Sequence, residues 1–127
     1  RTWYPSEEEM ALDNPGVYGL TKGLGERICR YFCLEFGMSI VALRITGPRE
    51  RNQWLKDRKI PKDTPGRLWV TDEEDLSAAY LAAVEVARGR EKRFDAVLIA
   101  GDELAEHANL GKAKQLLGWE PRTHLKT

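Results

Sequence analysis

The stretch Pro15-Gly16-Val17-Tyr18-Gly19-Leu20-Thr21-Lys22-Gly23-Leu24-Gly25-Glu26, running on to Phe36 and Gly37, decides how this sequence is read. Its spacing predicts one long helix over 16–37 that stops at Gly37. Val17, Leu20, Leu24, Ile28 and Tyr31 recur at helical spacing and form one apolar stripe. Cys29, Phe32, Cys33 and Phe36 add a second flank, and Glu26, Arg27 and Arg30 supply a polar side. A helix apolar over so much of its girth is expected to be covered on two sides. Gly19, Gly23 and Gly25 are poor helix formers, costing ~1 kcal/mol each against alanine, and point to a close approach by another backbone or a ligand. Tyr18 and Lys22 stand four apart, so their side chains share one helix face.

Outward from the helix, Ser39 to Ile45 is a short apolar run between Gly37 and Gly47–Pro48, the pattern of a buried strand. Residues 49–67 read as a long polar loop, with room for a helical turn near Trp54. The loop holds seven basic residues (Arg49, Arg51, Lys56, Arg58, Lys59, Lys62, Arg67) against three acids, a local surplus of four positive charges. After a brief extended piece at 68–70, Thr71 and Glu74 have the spacing of a capping box, with Asp72 and Glu73 favouring the same helix start. That helix runs through Leu76, Ala79, Tyr80 and Ala83 to Gly89. Phe94 to Ala100 is a second buried strand, and a last helix over about 109–117 closes at Gly118. Residues 1–14 read as a loop. The alternation of helix and strand makes the chain α/β, with too few strands for a sheet of its own.

Composition narrows the function classes. The chain has 127 residues, one domain by size: the helix and turn over 15–48, then a region over 49–127. Twenty basic and twenty acidic residues give a net charge of zero, so no overall basic field recommends a nucleic-acid partner. No apolar run reaches the ~20 residues of a membrane span, and the polar N-terminal ten residues do not look like a signal peptide. Two cysteines, Cys29 and Cys33, suit a reducing, cytoplasmic setting. His107 and His124 have no partners at ligand spacing, so no metal site is expected.

The chemistry sits on Tyr18 and Lys22. An ammonium beside a phenol favours the phenolate, and a tyrosine so placed can pass a proton to or from a substrate hydroxyl. The Pro15-to-Glu26 stretch, the strand ending Leu43-Arg44-Ile45-Thr46-Gly47-Pro48, the helix start at Asp75 and the close Leu117-Gly118-Trp119-Glu120-Pro121 together resemble the extended short-chain dehydrogenase/reductase family, which includes NAD-dependent sugar-nucleotide epimerases and dehydratases. The resemblance runs in register over nearly the whole chain. It implies a Rossmann-like doubly wound fold, of which this chain is the C-terminal part. It implies Tyr18 as acid/base and Lys22 as its partner and as the lysine that holds the nicotinamide ribose. It places Thr46, Gly47 and Pro48 near the cofactor, and Arg49 and Arg51 in a region that holds a small-molecule substrate, such as an anionic sugar nucleotide.

The glycine-rich phosphate turn of that family has no counterpart here; Gly23-Leu24-Gly25 lies inside the helix and lacks a third glycine. The family's catalytic serine or threonine is not assigned to Thr2 or Ser6, which are too near Tyr18. The expectation is a fragment of an NAD- or NADP-dependent enzyme that binds no cofactor by itself and self-associates through the 16–37 helix. The rival expectation is a non-catalytic, truncated or degenerate module that associates through the same helix.

Overall fold

The computed structural model describes residues 16–57, 59, 70–102 and 108–122. Helix α1 spans Gly16–Phe36 and ends where Gly37 adopts a φ of 70°, the left-handed turn that glycine takes without a Cβ penalty. Strand β1 (Ser39–Ile45) follows directly, and its apolar run is the expected one. Strand β4 (Arg93–Ile99) pairs with it in parallel over the full length, from Ser39 opposite Arg93 to Ile45 opposite Ile99. Parallel pairing needs a long crossover, and helix α3 (Glu73–Arg88) supplies it.

The two helices lie on opposite faces of this pair. Val41, Leu43 and Ile45 alternate along β1 and pack with Val97, Ile99, Ala79, Leu76, Ala113 and Trp119, which places α3 on their side. Arg44, of the other parity, meets Glu26 of α1. Hydrophobic burial is deepest along β4, where Val97, Leu98, Ile99 and Ala100 are sealed from solvent. The architecture is α/β with parallel strands and helices, consistent with a Rossmann-like fragment.

Several expectations need correction. The loop read after Pro48 carries the helical turn expected near Trp54, and its start adds a short strand that was not expected. A two-residue strand β2 (Pro48–Arg49) pairs in parallel with β3 (Thr71–Asp72), and between them α2 (Arg51–Asp57) buries Trp54. Thr71 does not cap α3. Its hydroxyl donates to the Thr46 carbonyl at 2.7 Å, so the cap passes to Asp72, whose carboxylate accepts from the Glu74 N–H at 3.3 Å. The last helix is present over 111–117, close to the expected bounds, but most of it is not α-helical. That part is a π-helical turn over Ala113–Leu117, stopped by Gly118 at a φ of 64°, while the Asn109 side chain accepts from Gly111 N–H just before it.

The apolar stripe of α1 is not covered. Val17, Leu20, Leu24, Ile28 and Tyr31 are all exposed, and only Gly23 and Cys33 of this helix are buried. Gly23 is buried; at Gly25 an added Cβ would meet nothing within 4 Å, so no close approach is found there. No described helix is long and apolar enough to cross a membrane.

Candidate functional site

Ligands of open α/β sheets bind beyond the carboxyl ends of the strands. In this chain that end is built from three turns. Thr46 follows β1 and donates its N–H to Ile99 O of β4 at 3.0 Å. Thr71 N–H donates to Gly47 O at 3.0 Å, and the Thr46 and Thr71 hydroxyl oxygens stand 3.5 Å apart. Gly101, just past β4, lies so close to the Val70 carbonyl that a Cβ there would overlap it. The turn Thr46-Gly47-Pro48 is therefore stitched to both neighbouring strands, and Gly47 takes a φ of 43° to make it.

Helix α1 brings Tyr18 and Lys22 toward the same end. Its chain direction opposes β1: Glu26 meets Arg44 near the top of the strand, and Cys33 Sγ reaches Arg93 O at the bottom, 3.5 Å away. Lys22 lies about 6 Å from Glu26 along the helix axis, toward its N-terminus. Thr46 lies about 7 Å beyond Arg44 along the strand. Lys22 and Tyr18 thus lie on the part of α1 beyond Glu26, toward the end of the fold where Thr46 follows β1. The Lys22 ammonium stands 5.3 Å from the Tyr18 ring centroid. Tyr18 is 76% exposed and Lys22 is exposed too, so both groups are open to a ligand from solution.

Arg49 and Arg51 lie beside the turn, each already engaged. Arg49 Nε is 3.2 Å from Asp57 Oδ2, and its Nη1 donates to Pro48 O. Arg51 Nη1 is 3.5 Å from Asp72 Oδ2, and the guanidinium lies 5.3 Å from the Trp54 ring. An anionic ligand would compete with those carboxylates or share the arginines with them. Thr2, Ser6, Arg58, Lys62, Arg67, His107 and His124 lie outside the described residues. Among the described residues, no three His, Cys, Asp or Glu side chains gather as metal ligands would.

Two features escaped the sequence reading. Thr71 anchors the turn, although its spacing to Glu74 advertised a cap instead. Glu26 and Arg44 form a two-point ion pair, Nε to Oε1 at 2.8 Å and Nη2 to Oε2 at 2.9 Å. The signal was Arg44 itself: a charge in an apolar strand needs a partner, and Glu26 is on the helix packed over it. The hydrogen bond from Arg44 holds the Glu26 carboxyl below its ordinary range, against the upward pull of burial.

The chain is similar to a curated protein of Bacillus subtilis (strain 168) named as an uncharacterized UDP-glucose epimerase, YtcB. The two are 25% identical over 161 residues, covering 94% of this chain and 51% of the relative. The chain therefore spans about half the length of that relative. No family model and no solved structure matches it. The similarity supports an epimerase/dehydratase-like relationship.

Proposed function

We propose that this chain carries the tyrosine–lysine acid/base pair and part of the substrate region of an NAD- or NADP-dependent enzyme acting on a sugar nucleotide. The observation that carries the reading is the Lys22 ammonium set over the Tyr18 ring on an open face of a helix that runs against the direction of β1. The similarity to a protein named as a UDP-glucose epimerase supports the substrate class. In this reading the Tyr18 oxygen takes the proton of a substrate hydroxyl as that carbon is oxidised, and returns it as the carbonyl is reduced. A bound nicotinamide supplies the hydride acceptor and donor. Lys22 keeps a positive charge beside the ring and offers its ammonium to ribose hydroxyls.

The exposed Lys22 and the Thr46-Gly47-Pro48 turn fit the nicotinamide-ribose end of such a cofactor. The sequence has no glycine-rich turn to hold the pyrophosphate, so these 127 residues alone are proposed to bind no dinucleotide. Arg49 and Arg51 would face the substrate's phosphates. A second reading, a non-catalytic module that associates through α1, is favoured by the exposed stripe from Val17 to Tyr31.

The test is turnover of UDP-glucose to its epimer by the full natural polypeptide with NAD or NADP, followed by chromatography of the sugar nucleotides. Tyr18→Phe should lower turnover ~10²-fold or more, because it removes the proton carrier. Turnover within a few-fold of wild type would remove Tyr18 from that role.

A further inference from the structure

Tyr18, Lys22 and Glu26 follow one another at intervals of four residues, so they form a single slowly turning stripe along α1. The lower end of the stripe is fixed. Glu26 holds Arg44 through two hydrogen bonds, and both side chains are largely buried, 14% and 20% exposed. The upper end hangs free: Val17, Tyr18, Leu20, Thr21 and Lys22 are exposed. Arg44 stands two residues before Thr46, which is itself pinned to Ile99 and Thr71. The ion pair thus joins the stripe that carries the phenol and ammonium to the strand that carries the turn.

We propose that Glu26 and Arg44 are positioning residues that set the rotation of α1 about its own axis, and so aim Tyr18 and Lys22 at the Thr46-Gly47-Pro48 turn. The inference rests on the functional reading above only for what the aimed groups do. A planar guanidinium bound at two points to a carboxylate fixes orientation as well as distance, which a single hydrogen bond does not. Gly23, three residues above Glu26, is buried but offers no side chain to grip, and the other side-chain contacts lie further down the helix: Arg30 stacks 4.2 Å over the Phe94 ring, and Cys33 reaches Arg93 O. They resist rotation less directly at Tyr18. Turning the helix by about 20° moves an atom ~6 Å from its axis by ~2 Å. Displacements of ~1 Å in a reacting group can cost ~10²-fold in rate.

The experiment is residual dipolar coupling of the ¹⁵N-labelled full polypeptide, which reports the orientation of α1 against β1, β4 and α3. Wild type is compared with Glu26→Gln, which keeps the bulk and removes the charge, and with Arg44→Lys, which keeps the charge and loses the two-point grip. Both variants should reorient α1 while leaving β1, β4 and α3 mutually unchanged. In the epimerisation assay both should lower kcat ~10-fold or more with KM within about twofold. Arg44→Lys should be the milder, since it retains one bond. Should Glu26→Gln fail to fold, Arg44→Lys decides alone. An α1 that keeps its orientation in the folded variants overturns the proposal, as does reorientation without loss of kcat in an active enzyme. Wild-type protein that turns over no sugar nucleotide defeats the functional reading, and the couplings then still decide whether the pair holds the helix.

Discussion

Both carboxylate oxygens of Asp75 accept the backbone N–H of Arg122 at 3.1 Å, across 47 residues of chain. The indole N–H of Trp119 donates to the Asp75 carbonyl at 2.8 Å, so the closing segment is tied twice to the first turn of α3. Asp75 is 7% exposed and Trp119 4%. Two short motifs far apart in the sequence are in this way one structural element. Asp75→Ala would leave the Arg122 N–H without that acceptor and remove a partly buried charge-assisted hydrogen bond, at a cost of about 1–3 kcal/mol. Urea unfolding should show a lower midpoint at unchanged slope. A variant within about 0.5 kcal/mol of wild type would show that Trp119 holds the closing segment unaided.

Stability should fall in acid through identified carboxylates. The Glu26 carboxyl is lowered from its ordinary value of 4.5 by the hydrogen bond from Arg44. Asp95 is raised by burial, but the hydrogen bond from Arg90 and the charges of Lys112, Arg93 and Arg90 outweigh that and leave it below 3.8. A group with a lowered folded pKa binds fewer protons folded than unfolded, so its contribution is present above the unfolded value and is lost as pH falls through the folded one. Unfolding free energy should thus be flat above about pH 5 and decline below about 4.5. Glu26→Gln should flatten part of that decline. An equal slope in wild type and variant would mean that the Glu26–Arg44 pair contributes nothing to acid sensitivity.

Gly101 leaves no room for a side chain. A methyl group there would overlap the Val70 carbonyl and crowd Thr71, both backbone and so unable to swing aside. Gly101→Ala should destabilise by about 1–3 kcal/mol through forced backbone shifts. That is a fall of several degrees in melting temperature for a chain of this size, readable by calorimetry. Gly25→Ala is the control: its Cβ would meet nothing within 4 Å, and α1 should gain up to ~1 kcal/mol. A neutral Gly101→Ala would show that β3 can move away from β4 freely.

The elements that were legible in the sequence are those long enough to carry a period. Helix α1 ends beside Gly37 as read, and β1 has the expected bounds because glycines flank its apolar run. The Tyr18 and Lys22 side chains share a face because helical geometry demands it. The β2–β3 pair was not legible, since two residues have no periodicity to detect. The cap of α3 was misread because Thr71 and Asp72 both suit it locally, and a contact to Thr46, 25 residues away, decided between them. Exposure of the α1 stripe was legible from the shortage of strands: with too few to cover it, the apolar side of this helix is left open, as self-association through it requires.

That stripe leads to the last prediction. Val17, Leu20, Leu24, Ile28 and Tyr31 are 46–78% exposed and form one contiguous face, a pattern that marks an interaction surface. A second copy of the chain offers the same face, and a two-fold contact would bury each stripe against its mate. At about 1 kcal/mol for each half-exposed apolar side chain, the gain from both copies is ~10 kcal/mol. Association costs ~4–15 kcal/mol in lost freedom, so the net gain is about 6 kcal/mol at the most favourable end, a Kd of tens of micromolar at the tightest. Sedimentation at about a millimolar, well above the tightest Kd this balance allows, should therefore show a dimer or larger species. Leu24→Asp with Ile28→Asp should return it to monomer without unfolding it, since both positions are already exposed and the charges would be buried unpaired only in the assembly. A wild-type chain that stays monomeric and folded at that concentration would show that the face is not a contact between copies.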